Sequence, residues 1–235
     1  MGSEMCIRDR PTIDKVLADG GSCVLMTHLG RPKGVDDKLS LRHIVSEIQT
    51  VLGVDIQFSK QTIGPEVEAQ AKALQPGQIM LLENLRFYDE ETKGDEQFAN
   101  ALSTLADCYI NDAFGTAHRA HASTTIVAQF FPKAKYFGFL LAQEIHAIDR
   151  VMSTGEKPVL AVLGGAKVSS KIMIIENILD KVDHLIIGGG MSFTFAKAMG
   201  GQIGNSICED DKQELALSIL RIAKEKGVQI HLPTD

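Results

Sequence analysis

The chain has no tryptophan, and its phenylalanines and tyrosines bring aromatic content to only 6%. Its core must therefore be mostly aliphatic. Cysteine is sparse as well: Cys6, Cys23, Cys108 and Cys208 lie far apart, with no C-x-x-C pair. That spacing argues against a disulfide framework and structural zinc, and fits a reducing compartment. No apolar run approaches the roughly 20 residues that span a bilayer. No signal-peptide pattern opens the chain, so a soluble cytoplasmic protein is expected. There is no positive excess either. Twenty-four Lys and Arg against 30 Asp and Glu leave a net charge of −6, which gives no reason to expect nucleic acid or an anionic membrane as partner. Internal repeats and low-complexity segments are absent.

What is present is an aliphatic chain of 235 residues, 44% hydrophobic, enough for one large domain or two modest ones. Met1 to Arg10 (MGSEMCIRDR) shows no hydrophobic periodicity and is read as a non-native leader outside the fold. From Pro11 onward short aliphatic runs alternate with helical periods. Strands are expected at Cys23–Met26, Val54–Phe58, Ile79–Leu82 and Cys108–Ile110, then at Pro158–Leu163, Asp183–Ile187 and Val228–Leu232. Helices are expected at Thr12–Ala18, after Ser40 as N-cap, from Pro65, over Glu96–Ala106 and over Ser123–Phe131. Further helices are expected over Phe139–Ser153, from Val168, over Phe193–Met199 and over Asp210–Lys226. This alternation predicts α/β architecture: parallel sheets covered on both faces, with one α/β unit before the helix at Phe139–Ser153 and another after it. Residues 11–138 form the first, 139–157 an interdomain helix and hinge, and 158–235 part of the second. The chain stops just after a strand with no covering helix, so the second domain is expected to be truncated.

The stretch Pro158 to Lys171 (PVLAVLGGAKVSSK) carries the clearest chemistry. A buried strand runs into Gly164-Gly165 and then into a helical period at Val168, Ile172, Ile175 and Leu179. Free N–H groups and the positive helix end make such a turn an anion site. Lys167 and Lys171 can lean over the same pocket. The stretch also fits an ordinary βα corner with solvated lysines, and it matches neither a Walker A loop nor G-x-G-x-x-G.

In the first half, three strands end in cationic loops. They lead into His28-Leu-Gly-Arg31, Glu83-Asn-Leu-Arg86, and Asn111-Asp-Ala-Phe-Gly-Thr-Ala-His-Arg-Ala-His121. Ligands in open α/β sheets bind beyond the carboxyl ends of strands. Arg31, Arg86 and Arg119 at such ends predict one site for a small, multiply anionic metabolite. Each arginine could instead fasten a loop through Glu83 or Asp112. His118-x-x-His121 without a nearby carboxylate does not make a metal site, and no metal ligand is assigned.

These segments closely resemble the signatures of phosphoglycerate kinase. They are His28-Leu-Gly-Arg-Pro-Lys33, Leu82-Glu-Asn-Leu-Arg-Phe87, the Asn111–His121 run, Leu163-Gly-Gly-Ala-Lys-Val168 and Ile187-Gly-Gly-Gly-Met191. The resemblance implies two Rossmann-like parallel-sheet domains joined by a hinge helix, and reversible phosphoryl transfer between 1,3-bisphosphoglycerate and ADP by a monomer, with ATP/ADP and Mg2+ as cofactors. It implies that His28, Gly30, Arg31, Arg86 and Arg119 bind 3-phosphoglycerate and that Lys167 is catalytic. Gly165, Lys171, Gly189 and Gly190 would bind nucleotide. The family's opening strand, its later phosphate loop and its magnesium ligand find no counterpart, so weak or no turnover is expected of this chain. An anion-binding module without turnover is the alternative. A nicotinamide oxidoreductase would rest on the glycine turns alone and lacks the acid that holds ribose.

Overall fold

The computed structural model describes residues 2–234 and divides into two compact units, residues 1–145 and 146–235. In the first unit α1 (Gly2–Ala18) leads to β1 (Cys23–Leu25), α2 (Val45–Leu52), β2 (Ile56–Phe58), α3 (Pro65–Ala73) and β3 (Ile79–Leu81). Then come α4 (Asp89–Lys93), α5 (Glu96–Ser103), β4 (Tyr109–Asn111), β5 (Lys135–Phe137) and the start of α6 (Phe139–Thr154). The second unit holds β6 (Leu160–Gly164), α7 (Ile172–Ile178), β7 (His184–Gly188), α8 (Met191–Ala198), α9 (Gln213–Glu225) and β8 (Gln229–His231). The division falls inside α6, after Ile145.

Every strand pairing is parallel, as the alternation of strand and helix requires. The first unit contains two separate sheets, β1-β3-β2 and β4-β5, rather than one. β3 explains how its core is divided. Ile79 and Leu81 pack with Ile13, Leu41 and Ile48, whereas Met80, with Leu82 just beyond the strand, packs with Val67, Phe98 and Leu102. Successive side chains point to opposite faces, so one apolar run serves two cores. The second unit has one sheet, β6-β7-β8. Leu185 and Ile187 face a core built on α7, α8 and α9, but Leu160 and Val162, one residue out of phase, are 55% and 67% exposed. One face is covered and the other is open, against the expectation of cover on both.

Three local expectations need correction. The segment Met1–Arg10, read as lying outside the fold, is helical from Gly2 and continuous with the rest of α1. Thr12 anchors that helix by donating to Asp112 at 2.5 Å and accepting from the Phe139 N–H at 2.9 Å, and Ile13 is buried. β5 was not anticipated because all three of its residues are exposed, which leaves no alternating pattern to read. The helix expected at Ser123–Phe131 is instead a π-turn, Ala122–Ile126, running into a 3-10 turn, Val127–Phe130. Threonine hydroxyls compete with the regular ladder there: Thr124 and Thr125 both donate to the Arg119 carbonyl.

Candidate functional site

The loops at the carboxyl ends of β1, β3 and β4 are tied together by polar side chains. Asn84 is fully buried; its amide donates to the carbonyls of Leu29 and Leu39, both at 2.9 Å, and its Oδ1 accepts from the Arg86 N–H at 3.1 Å. Glu83 accepts from the Ser40 hydroxyl at 2.6 Å and the Leu41 N–H at 2.8 Å. Asp112 accepts from Thr12 and from the Leu141 N–H. Both acids that could have neutralised the arginines are thus occupied by loop fastening.

The arginines remain uncompensated. Among the described residues none of Arg31, Arg86 and Arg119 forms an ion pair. All three line one cavity of about 370 Å³, together with His121, Pro32, Tyr88, Asp89 and Thr92. Arg86 Nη1 donates to the Gly30 carbonyl at 2.8 Å, while its buried Nε has no hydrogen-bond partner among the described residues. A buried guanidinium donor without an acceptor is costly, and an anion in the cavity would remove that cost. Burial first, then Arg119 and Arg31, holds the Arg86 pKa below its ordinary value. His28 shares this field. Desolvation, followed by Arg86, His121 and Arg119, lowers its pKa to about 4, so it is a neutral imidazole at neutral pH. Gly30 contributes its carbonyl to Arg86, and its φ of 66° is one that glycine adopts without strain.

In the second unit the turns after β6 and β7 lie in backbone contact. The Met191 N–H donates to the Gly165 carbonyl at 2.8 Å, and a Cβ on Gly189 would stand 3.1 Å from the Gly165 nitrogen and oxygen. A side chain on Gly190 would collide with Ile207. Lys171 folds over Gly165, its Cε 3.7 Å from where a Cβ would sit. Glu209 accepts from the Ser169 N–H at 3.0 Å and its hydroxyl at 2.5 Å, so the turn that carries Lys167 is held from below. These bonds, with a smaller contribution from Lys167, hold the Glu209 carboxyl below its ordinary pKa. Neither Lys167 nor Lys171 forms an ion pair among the described residues. α7 starts at Ile172, not Val168, so both lysines belong to the turn itself.

The structure therefore groups Arg31, Arg86 and Arg119 around one cavity, with His28 in the same field, and groups Gly165, Lys167, Lys171, Gly189 and Gly190 around another pair of loops. Asn84 appeared in the sequence reading only as part of a motif without a role, and Glu91 and Glu209 escaped it. Both glutamates lie in polar runs that resemble a solvated surface, and only their distant partners reveal them. Among the described residues no three His, Cys, Asp or Glu side chains gather to hold a metal ion. Among the described residues no helix is long and apolar enough to cross a membrane.

The architecture defines a parallel α/β protein whose strand carboxyl ends carry one set of loops lined with arginine and another lined with glycine and lysine. The chain belongs to the phosphoglycerate kinase family, whose model matches residues 5–235. It is 47% identical to the phosphoglycerate kinase of Porphyromonas gingivalis over 96% of this chain and 60% of that protein. It is 50% identical to that of Moorella thermoacetica, over 96% of this chain and 57% of the relative. The phosphoglycerate kinase structure from Coxiella burnetii superposes with a TM-score of 0.81 at 38% identity, covering 98% of this chain and 58% of that one. The chain thus spans somewhat less than two thirds of the length of these relatives.

Proposed function

We propose that this chain carries the phosphoglycerate-binding half, and part of the nucleotide-binding half, of a kinase that moves a phosphoryl group between 1,3-bisphosphoglycerate and ADP. One observation supports this above all: the buried, unpartnered Arg86 Nε on a cavity that it shares with Arg31 and Arg119. Three guanidinium groups that form no ion pair among the described residues suit a ligand bearing both phosphate and carboxylate. In this reading Arg31, Arg86 and Arg119 grip the acid's charged groups, neutral His28 donates a hydrogen bond, and Gly30 fixes Arg86 through its carbonyl.

The residues present also suit a nucleotide polyphosphate. Gly165, Gly189 and Gly190 keep side chains away from the loop backbone, and Lys171 supplies charge above it. A bound nucleotide supplies the phosphoryl donor or acceptor. Lys167 neutralises negative charge on the group in transit, which is the main catalytic task in phosphoryl transfer. Magnesium belongs to the same reading of the family, but no described cluster suits it, and the roles above belong to this chain's own groups. We place the protein in the cytoplasm as a monomer, consistent with the free thiols of Cys23, Cys108 and Cys208.

Calorimetric titration with 3-phosphoglycerate tests the cleft. Arg119→Ala should lose on the order of 1.5–3 kcal/mol of affinity, the range for charge-assisted hydrogen bonds. Lys167→Ala should bind like the parent. Arg119→Ala binding as tightly as the parent would refute the assignment. A coupled assay on the same preparation separates a kinase from a binding module, which would bind the acid and turn nothing over.

A further inference from the structure

α4 is only five residues long and ends on Gly94, whose φ of 67° lets its N–H close on the carbonyls of Glu90 and Glu91. Any side chain at Gly94 would collide with the Ala120 carbonyl oxygen. Glycine therefore allows α4 to lie directly against residues 119–123, the segment that brings Arg119 and His121 to the cavity. This close approach lets one carboxylate cross over. Glu91, 2% exposed, accepts from the Ser123 N–H at 3.0 Å and from its hydroxyl at 2.7 Å. Its Oε1 also lies 3.6 Å from Nδ1 of His121, which is 7% exposed. Its neighbour Asp89 lines the cavity but pairs with Lys93 on the exposed side of the helix. A carboxylate is buried only where partners compensate it, and every partner of Glu91 here belongs to the cationic segment or supports it.

We propose that Glu91 is a positioning residue of the anion cleft: it holds His121 from the Nδ1 side and keeps that imidazole chargeable, so an arriving phosphorylated acid meets a fourth cation. The proposal rests on the phosphoglycerate reading of the cleft. His121 faces Arg86 from the turn after β3, Arg119 and His118 from its own segment, His28 from the loop after β1, and Glu91 from α4. Desolvation and the cations press the proton off; Glu91 opposes them. A ligand with two or more negative charges tips this balance, and His121 takes up a proton as the ligand binds. Tyr109 braces the arrangement by donating to the Ser123 and Thr124 carbonyls.

The test compares the full chain with Glu91→Gln, which keeps the shape and removes the charge, and with Ser123→Ala, which keeps the charge and removes one hydrogen bond. His121 is titrated by nitrogen-edited NMR without ligand, and 3-phosphoglycerate affinity is measured between about pH 5.5 and 8.5. Glu91→Gln should lower the His121 pKa and weaken binding roughly three- to tenfold near pH 6, but less than twofold at the alkaline end. The ligand's own ionisation cancels in the ratio of parent to variant. Ser123→Ala should lower thermal stability and leave both the His121 titration and the pH slope as in the parent. An unchanged His121 titration in Glu91→Gln, or an affinity loss equal at every pH, overturns the proposal. The parent decides the matter even if Glu91→Gln fails to fold. Neutral His121 must carry its proton on Nδ1, facing Glu91, and an Nε2–H tautomer refutes the arrangement. Should the parent bind no phosphoglycerate, the reading of the cleft falls, while the His121 titration still decides the role of Glu91.

Discussion

Both units hold a cationic loop by the same device, a glutamate accepting from the N–H and hydroxyl of one serine. Glu91 grips Ser123 in the first and Glu209 grips Ser169 in the second. The surroundings differ. Glu91, carried by α4, is buried against the π-turn, whereas Glu209 is only half-buried. The sheets repeat the contrast: β3 is buried on both faces, and β6 exposes alternate residues to solvent. Identical hydrogen bonds therefore stand on unequal amounts of covering protein. The comparison teaches that a contact's contribution to stability depends on what would be left unsatisfied without it, not on the bond itself.

The largest expected effect tests the sheets. Met80→Ala empties a fully buried site and should cost about 2–5 kcal/mol, whereas Val162→Ala, at a position 67% exposed, should stay within roughly 0.5 kcal/mol. Urea unfolding of both variants measures the difference. Equal losses would mean that the open face of β6 is covered in solution.

The paired glutamates come next. Glu91→Ala strands a buried N–H and hydroxyl of Ser123 and should cost about 1–3 kcal/mol. Glu209→Ala lets water reach Ser169 and should cost about 1 kcal/mol or less. Hydrogen exchange at the two serine amides resolves them separately. A larger loss of protection at Ser169 would reverse the comparison.

The smallest effect concerns pH and lies within the first unit. His28 is depressed to about 4 by burial and the neighbouring cations, so the unfolded chain binds the extra proton between its ordinary 6.5 and about 4. Its contribution to stability is present above that window and is lost as pH falls through it. Asp9 acts in the opposite sense. Burial, with Asp112 adding, raises its carboxyl from 3.8 to about 6, so its contribution is present at low pH and lost as pH rises through about 6. The two partly cancel between about pH 4 and 6. Asp9→Asn should therefore expose a stability that climbs with pH, while His28→Gln should leave one that declines. Thermal unfolding across that range checks both slopes, and parallel curves for the two variants would exclude this account.

Much of the molecule is determined by the sequence alone. Alternating aliphatic runs and helical periods specify parallel α/β structure, because strand and helix periodicities are local properties readable within a dozen residues. Arg31, Arg86 and Arg119 are legible as strand-end cations, and the five signature segments are legible as those of the family. Tertiary structure decided the rest. It consumed Glu83 and Asp112 in loop contacts, left Arg86 Nε without a partner, and placed β5 where no residue of it is covered. It also opened one face of β6 and buried Glu91 against Ser123, 32 residues away. Nothing in Asp89-Glu-Glu-Thr-Lys93 distinguishes its last acid, Glu91, from a solvated one. Burial of a charge is a property of the partners that close over it, and those partners come from distant parts of the chain.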